Sequence, residues 1–166
     1  MLTSHELLGF MSPALALEII TYTFDSDKPL YRATLAAVAE ARKVRPVFLE
    51  KKARTERHQL MIATLARPAL EMVTANLLRT WLLKKHASML GDFLDSLSIP
   101  HKEGVVDELP SSIEEPQLRP AIDALLAKYP PEVVATYLNA FTEMNEVEWP
   151  AMKTMLETDK RLQLGG

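Results

Sequence analysis

The sequence predicts an all-α fold, a single-domain multi-helix bundle of about eight helices. Three observations carry that prediction. Glycine is scarce, with only Gly9, Gly91 and Gly104 before the terminal Gly165-Gly166 pair; hairpin-rich folds need many residues with positive φ. Pro13, Pro29, Pro46, Pro68, Pro131 and Pro150 each stand at the head of a segment rich in helix formers. A missing backbone N–H is harmless at that position, and proline also turns the residue before it out of helical geometry. Apolar residues then recur at three- and four-residue spacing. β-branched clusters are few, and Val105-Val106 is the best candidate for a short extended piece.

The elements follow in order. A short helix is expected near residues 4–11. Ser12 is a plausible N-cap for a second, over about 13–24, which is apolar on two sides (Leu15, Ile19 and Tyr22; Leu17, Ile20 and Phe24) and therefore central. A third, over 29–43, carries the stripe Leu30, Thr34, Val38 and Ala41. The fourth starts at Pro46 and extends toward Arg67, with apolar ends and a polar middle from Glu50 to Gln59; either it breaks there or the middle lies in solvent. The fifth, 68–86, repeats Leu70, Val73, Leu77, Trp81 and Leu82 and ends in Lys84, Lys85 and His86, where cations meet the negative end of the helix dipole. A sixth covers 87–98.

Residues 99–116 contain three prolines, one glycine and little periodicity, and read as an ordered loop. Helices over 121–128, 131–144 and 150–162 complete the chain. The first group therefore spans 4–98 and the C-terminal group 117–162. Trp149, just before Pro150, is placed to staple the last helix to the body, or to join a contact between copies if that helix lies apart as an arm.

Composition narrows the chemistry. A chain of 166 residues with 48% hydrophobic and 25% charged residues supports one core and a charged surface. The absence of cysteine removes disulfides, thiolate metal sites and thiol nucleophiles. With no signal-peptide pattern and no run near the ~18 apolar residues of a membrane span, the expected location is cytoplasmic. Glu-x-x-His and His-x-x-x-His are both missing, so helical metal-site spacing is absent. Neither a Gly-x-Ser-x-Gly elbow nor a phosphate-cradling glycine loop occurs. No catalytic residue, cofactor or metal is expected. The four histidines, His5, His58, His86 and His101, form a site only if the fold gathers them with a carboxylate.

Charge provides the one positive lead. Residues 1–99 carry a net +3 and residues 100–166 a net −6. The contrast fits an anionic partner, or two faces that attract each other within one fold or across a dimer. Arg42, Lys43, Arg45, Lys51, Lys52, Arg54 and Arg57, against Glu50 and Glu56, form a local +5 cluster, the candidate anion or nucleic-acid contact. No aromatic residue is read as interleaving the cluster, so base stacking of the single-strand type has little support. The sequence pI of 5.8 and the lack of a helix-turn-helix pattern weigh against a dedicated nucleic-acid binder. The expected function is a non-enzymatic helical interaction or scaffold protein acting on an unidentified protein partner or on itself. Nucleic-acid binding through 42–57 is the alternative, and an enzyme with a remotely assembled His/carboxylate site the second.

Overall fold

A computed structural model describes residues 1–165, and it is all-α. Its ten α-helices are α1 (Ser4–Phe10), α2 (Pro13–Ser26), α3 (Lys28–Ala41), α4 (Pro46–Glu50), α5 (Arg54–Leu65), α6 (Glu71–Lys85), α7 (Ala87–Ser96), α8 (Glu115–Lys128), α9 (Pro131–Asn145) and α10 (Pro150–Thr158). Single 3-10 turns occupy Pro68–Leu70 and Lys160–Leu162. The count among the described residues is ten, not about eight; relative to the elements placed one by one, the change is that the expected fourth helix divides into α4 and α5. Every proline that marks a helix start in the sequence sits at the first or second position of α2, α3, α4, α9, α10 or the Pro68 turn.

The described residues group into two compact units, Leu2–Trp81 with Gly165, and Leu82–Leu164 with Met1. In the first, Ser12 caps α2 by accepting the Leu15 N–H at 3.2 Å, a bond worth about 1 kcal/mol. Leu15, Ala16, Ile19 and Ile20 of α2 are buried, and so are Tyr31, Leu35, Val38 and Ala39 of α3. The α3 stripe is turned slightly from the expected one, since Leu30 and Ala41 are only half-buried. Glu71, at the start of α6, accepts the backbone N–H groups of Ser4 at 3.0 Å and His5 at 2.8 Å, and its carboxylate meets His5 Nδ1 at 2.7 Å. It thus satisfies donors that α1 leaves unpaired at its N-terminus. Burial pushes the Glu71 carboxyl up, but these hydrogen bonds outweigh it and hold it below the usual range.

The second unit is built around aromatic side chains. Phe93 of α7 meets Tyr137 and Phe141 of α9 edge-on, at 5.6 and 5.8 Å between ring centroids. Trp149 stacks on Phe141 at 4.7 Å. Helix α8 begins at Glu115, six residues before the expected start, and runs through Pro120. Pro116 lies in the first turn, where no donor is missed, while Pro120 gives up one hydrogen bond. Buried Leu118, Ala121, Ile122 and Leu125 recur at helical spacing on both sides of Pro120 and hold the helix together.

Between α7 and α8 the chain forms an ordered loop. Lys102 and Val105 exchange backbone hydrogen bonds at 2.9 and 3.0 Å around Glu103 and Gly104. Both central residues have positive φ, 53° and 85°, as in the two-residue turn that closes hairpins. This is the nearest approach to the extended piece expected at Val105. A Cβ at Gly104 would stand 2.8 Å from Leu90 Cβ on α7, so Gly104→Ala combines backbone strain with a clash. The expected loss is about 2 kcal/mol, read as a lowered urea midpoint. An unchanged midpoint would show that the turn is not clamped on α7.

Candidate functional site

The basic stretch straddles α4, and the structure separates its members by role. The chain breaks after Glu50 and restarts at Arg54, with Ala53 in an extended conformation between the two helices. Arg42 ends α3 and donates its Nε–H to Thr64 of α5. Arg57 donates its Nε–H to Tyr31 Oη at 2.9 Å and a guanidinium N–H to the Glu50 carbonyl at 3.3 Å. Lys52 pairs with Glu56 at 3.4 Å. These three side chains serve the fold. Lys43, Arg45, Lys51 and Arg54 are exposed.

The same segment displays apolar surface. A helix of five residues has room to bury one face only, and α4 buries Leu49. Val47 is 50% exposed and Phe48 61% exposed. The expectation that no aromatic interleaves the cations is thereby overturned: Phe48 stands among them. Phe48 lies between Arg45 and Lys51 in the sequence itself, so its place among the cations is legible there and only its exposure needs the structure. All four exposed cations lie within six residues of Phe48 in the chain.

Behind this surface lies a buried polar knot. Phe24, Tyr31 and His58, from α2, α3 and α5, meet edge to face with centroids 5.0 to 5.6 Å apart. Tyr31 Oη lies 2.9 Å from His58 Nε2. Arg57 also donates to that oxygen, so Tyr31 Oη joins α3 to both Arg57 and His58 of α5. His58 is 2% exposed. Burial, reinforced by the Arg57 and Arg54 charges and opposed by Asp25, pushes its pKa down to about 4. Burial also raises the Tyr31 phenol, against the lowering effect of Arg57. Lys28 lies 3.7 Å above the Phe24 ring, and Arg54 and Arg57 lie at 5.5 and 5.9 Å. The knot joins α2, α3 and α5 through ring contacts and the Tyr31 hydrogen bonds.

His101 comes nearer to a catalytic arrangement. It faces an open hollow of about 1060 Å³ formed by residues 100–110, and its Nε2 is 2.8 Å from Asp95. Its other nitrogen, Nδ1, accepts the Gly104 N–H at 3.1 Å. Both nitrogens are therefore engaged in holding the turn against α7. His5 is held by Glu71, and His86 sits half-buried before α7. His5 and His58 belong to the first unit, His86 and His101 to the second. No group of three or more His, Asp or Glu among the described residues is placed to hold a metal ion. No helix among them is long and apolar enough to cross a membrane.

The hollow itself is acidic and partly apolar. Glu103, Asp107 and Glu108 line it together with Val105, which is 53% exposed, and half-buried Leu109. Lys102 is its one lysine. The segment is legible in the sequence only as an unusual loop. The turn that shapes it is a Glu-Gly pair rather than the stronger Asn-Gly or Asp-Gly signal. Comparison with family models, with curated proteins and with solved structures finds no match to this chain.

Proposed function

We propose that this chain is a non-enzymatic interaction protein whose docking face is α4 with its exposed cations, and that the face takes an acidic protein segment carrying an apolar side chain. One observation carries the reading: Val47 and Phe48 are displayed to solvent among exposed Lys43, Arg45, Lys51 and Arg54. An aromatic side chain supplies contact area at small entropic cost and is enriched at interface centres, while surrounding charges set orientation and speed encounter. A solvated helix face of no further role needs the cations but has no use for the phenyl ring. Nucleic acid is the weaker fit, because a lone aromatic offers one stacking position and the chain's net charge is −3.

The test is selection from a displayed library of random twelve-residue peptides. Wild-type protein is expected to enrich peptides that combine Asp or Glu with Leu, Phe or Trp, and Phe48→Ser to lose about 30-fold in affinity for them, the scale of an aromatic anchor. Changing Lys43, Arg45, Lys51 and Arg54 to alanine should abolish the salt dependence while leaving Arg42, Lys52 and Arg57 to hold the fold. Peptides enriched equally by Phe48→Ser, or no enrichment at all, would refute the proposal. Binding to duplex DNA with a log–log salt slope of about −3.6, the value for four phosphate contacts, would replace it with the nucleic-acid reading.

A further inference from the structure

We infer that the acidic segment received by the α4 face is the residue 100–110 hollow of a second copy of this chain. The inference rests on the docking role proposed above and names its partner. The two surfaces are complementary in each respect that the structure displays. One projects an aromatic ring, Phe48, beside Val47; the other is an open hollow whose apolar residues, Val105 and Leu109, are uncovered or partly so. One carries exposed Lys43, Arg45, Lys51 and Arg54, the other Glu103, Asp107 and Glu108.

Charge separation in the whole chain follows the same division. The net +3 of residues 1–99 and −6 of residues 100–166 give each copy a surface attractive to the opposite part of the next. Both surfaces are also held in place before any contact forms. The hollow keeps its shape because His101 is tied to Asp95 and Gly104 and the turn is pinned against Leu90. The α4 face is fixed by buried Leu49 and by Arg57 on the Glu50 carbonyl. Little ordering entropy therefore opposes association. Because the surfaces differ, the contact is head-to-tail, and its repetition produces a reciprocal pair, a ring or an open chain according to the angle between copies.

The experiment is sedimentation velocity on three full-length proteins at about 20 mM and about 500 mM salt, since screening weakens such a contact at the higher value. The proteins are wild type, a face variant (Phe48→Ser with Lys51→Glu) and a hollow variant (Asp107→Lys with Glu108→Lys). All four altered residues are exposed, and far-UV circular dichroism verifies that each protein folds. Wild type is expected to grow beyond its 18.7 kDa as concentration rises at low salt. Each variant alone should remain a single chain, with self-association weakened about 30-fold or more. The decisive arm is the equimolar mixture, in which the face variant supplies an intact hollow and the hollow variant an intact face. A 1:1 species is expected there. A wild type that stays a single chain throughout, variants that associate like wild type, or a mixture without a 1:1 species would each overturn the inference. If the inference fails while peptide selection still yields Phe48-dependent acidic sequences, the docking role stands with another partner; if peptide selection also fails, both fall.

Discussion

Trp149→Ala is expected to lower stability by about 3–5 kcal/mol, the range for removing a buried indole from a packed core. The side chain is 2% exposed. It stacks on Phe141, which in turn meets Tyr137 and Phe93. Its deletion therefore opens a cavity at the end of an aromatic chain that joins α7 to α9. It also removes a tether, because the indole N–H donates to the Pro110 carbonyl at 2.9 Å and so holds the far end of the loop that forms the hollow. Trp149→Phe separates the two effects. It keeps most of the apolar contact and loses the hydrogen bond, for an expected cost of about 1–2 kcal/mol. Urea unfolding followed by far-UV circular dichroism reads both. A loss below about 1 kcal/mol for the alanine variant would show that the cluster closes over the vacancy and that the ring is not central to it.

The role of Trp149 was half legible in the sequence. Its place before Pro150 marks a helix start and suggests a staple; that it stacks on Phe141 depends on α9 and α10 meeting in three dimensions. The same boundary recurs along the chain. Proline positions and three-to-four spacing locate α2, α3, α6 and α9 because those signals are local. The polar middle from Glu50 to Gln59 offers a break as one of two alternatives, but Lys51-Lys52-Ala53 contains neither proline nor glycine to decide for it or to place it. What stabilises the break is Arg57 reaching back to the Glu50 carbonyl, a side chain seven residues away. Phe48 itself stands in the sequence between Arg45 and Lys51; its exposure is what the structure adds, because the short α4 buries only Leu49. Helix α8 starts six residues before its expected position because the weak apolar periodicity and the prolines of 99–116 extend the loop reading past Glu115. The buried positions Leu118, Ala121, Ile122 and Leu125 outweigh the one bond that Pro120 removes. Pairings such as Tyr31 with His58, 27 residues apart, leave no local trace, since each partner alone reads as an ordinary helix residue.

That buried pair leads to a pH dependence whose sign is the less familiar one for histidine. In the folded chain burial, reinforced by the nearby Arg57 and Arg54 charges and opposed by Asp25, pushes the His58 pKa down to about 4. In the unfolded chain the ring returns to about 6.5. Between those values the unfolded state binds the additional proton, so stability is complete above about pH 6.5 and declines as pH falls toward 4. Two and a half units correspond to about 3 kcal/mol at the lower end. Carboxylates held below their usual range behave differently. Asp92 beside Lys128, Asp159 beside Arg161 and Glu71 beside His5 lose their contributions only as pH falls through the ordinary carboxylate range, about 4, and below. The two groups thus act in adjacent windows. Unfolding free energies from urea titrations at pH 7 and pH 4.5 are expected to differ by about 2–3 kcal/mol more in the wild type than in His58→Gln, which keeps a hydrogen-bonding partner for Tyr31 but does not titrate. The ring proton resonances of His58 should move with a midpoint near 4 in the folded protein. A midpoint near 6.5, or equal pH sensitivity in the two proteins, would mean that the imidazole is protonated in place and that the Phe24, Tyr31 and His58 knot opens to water.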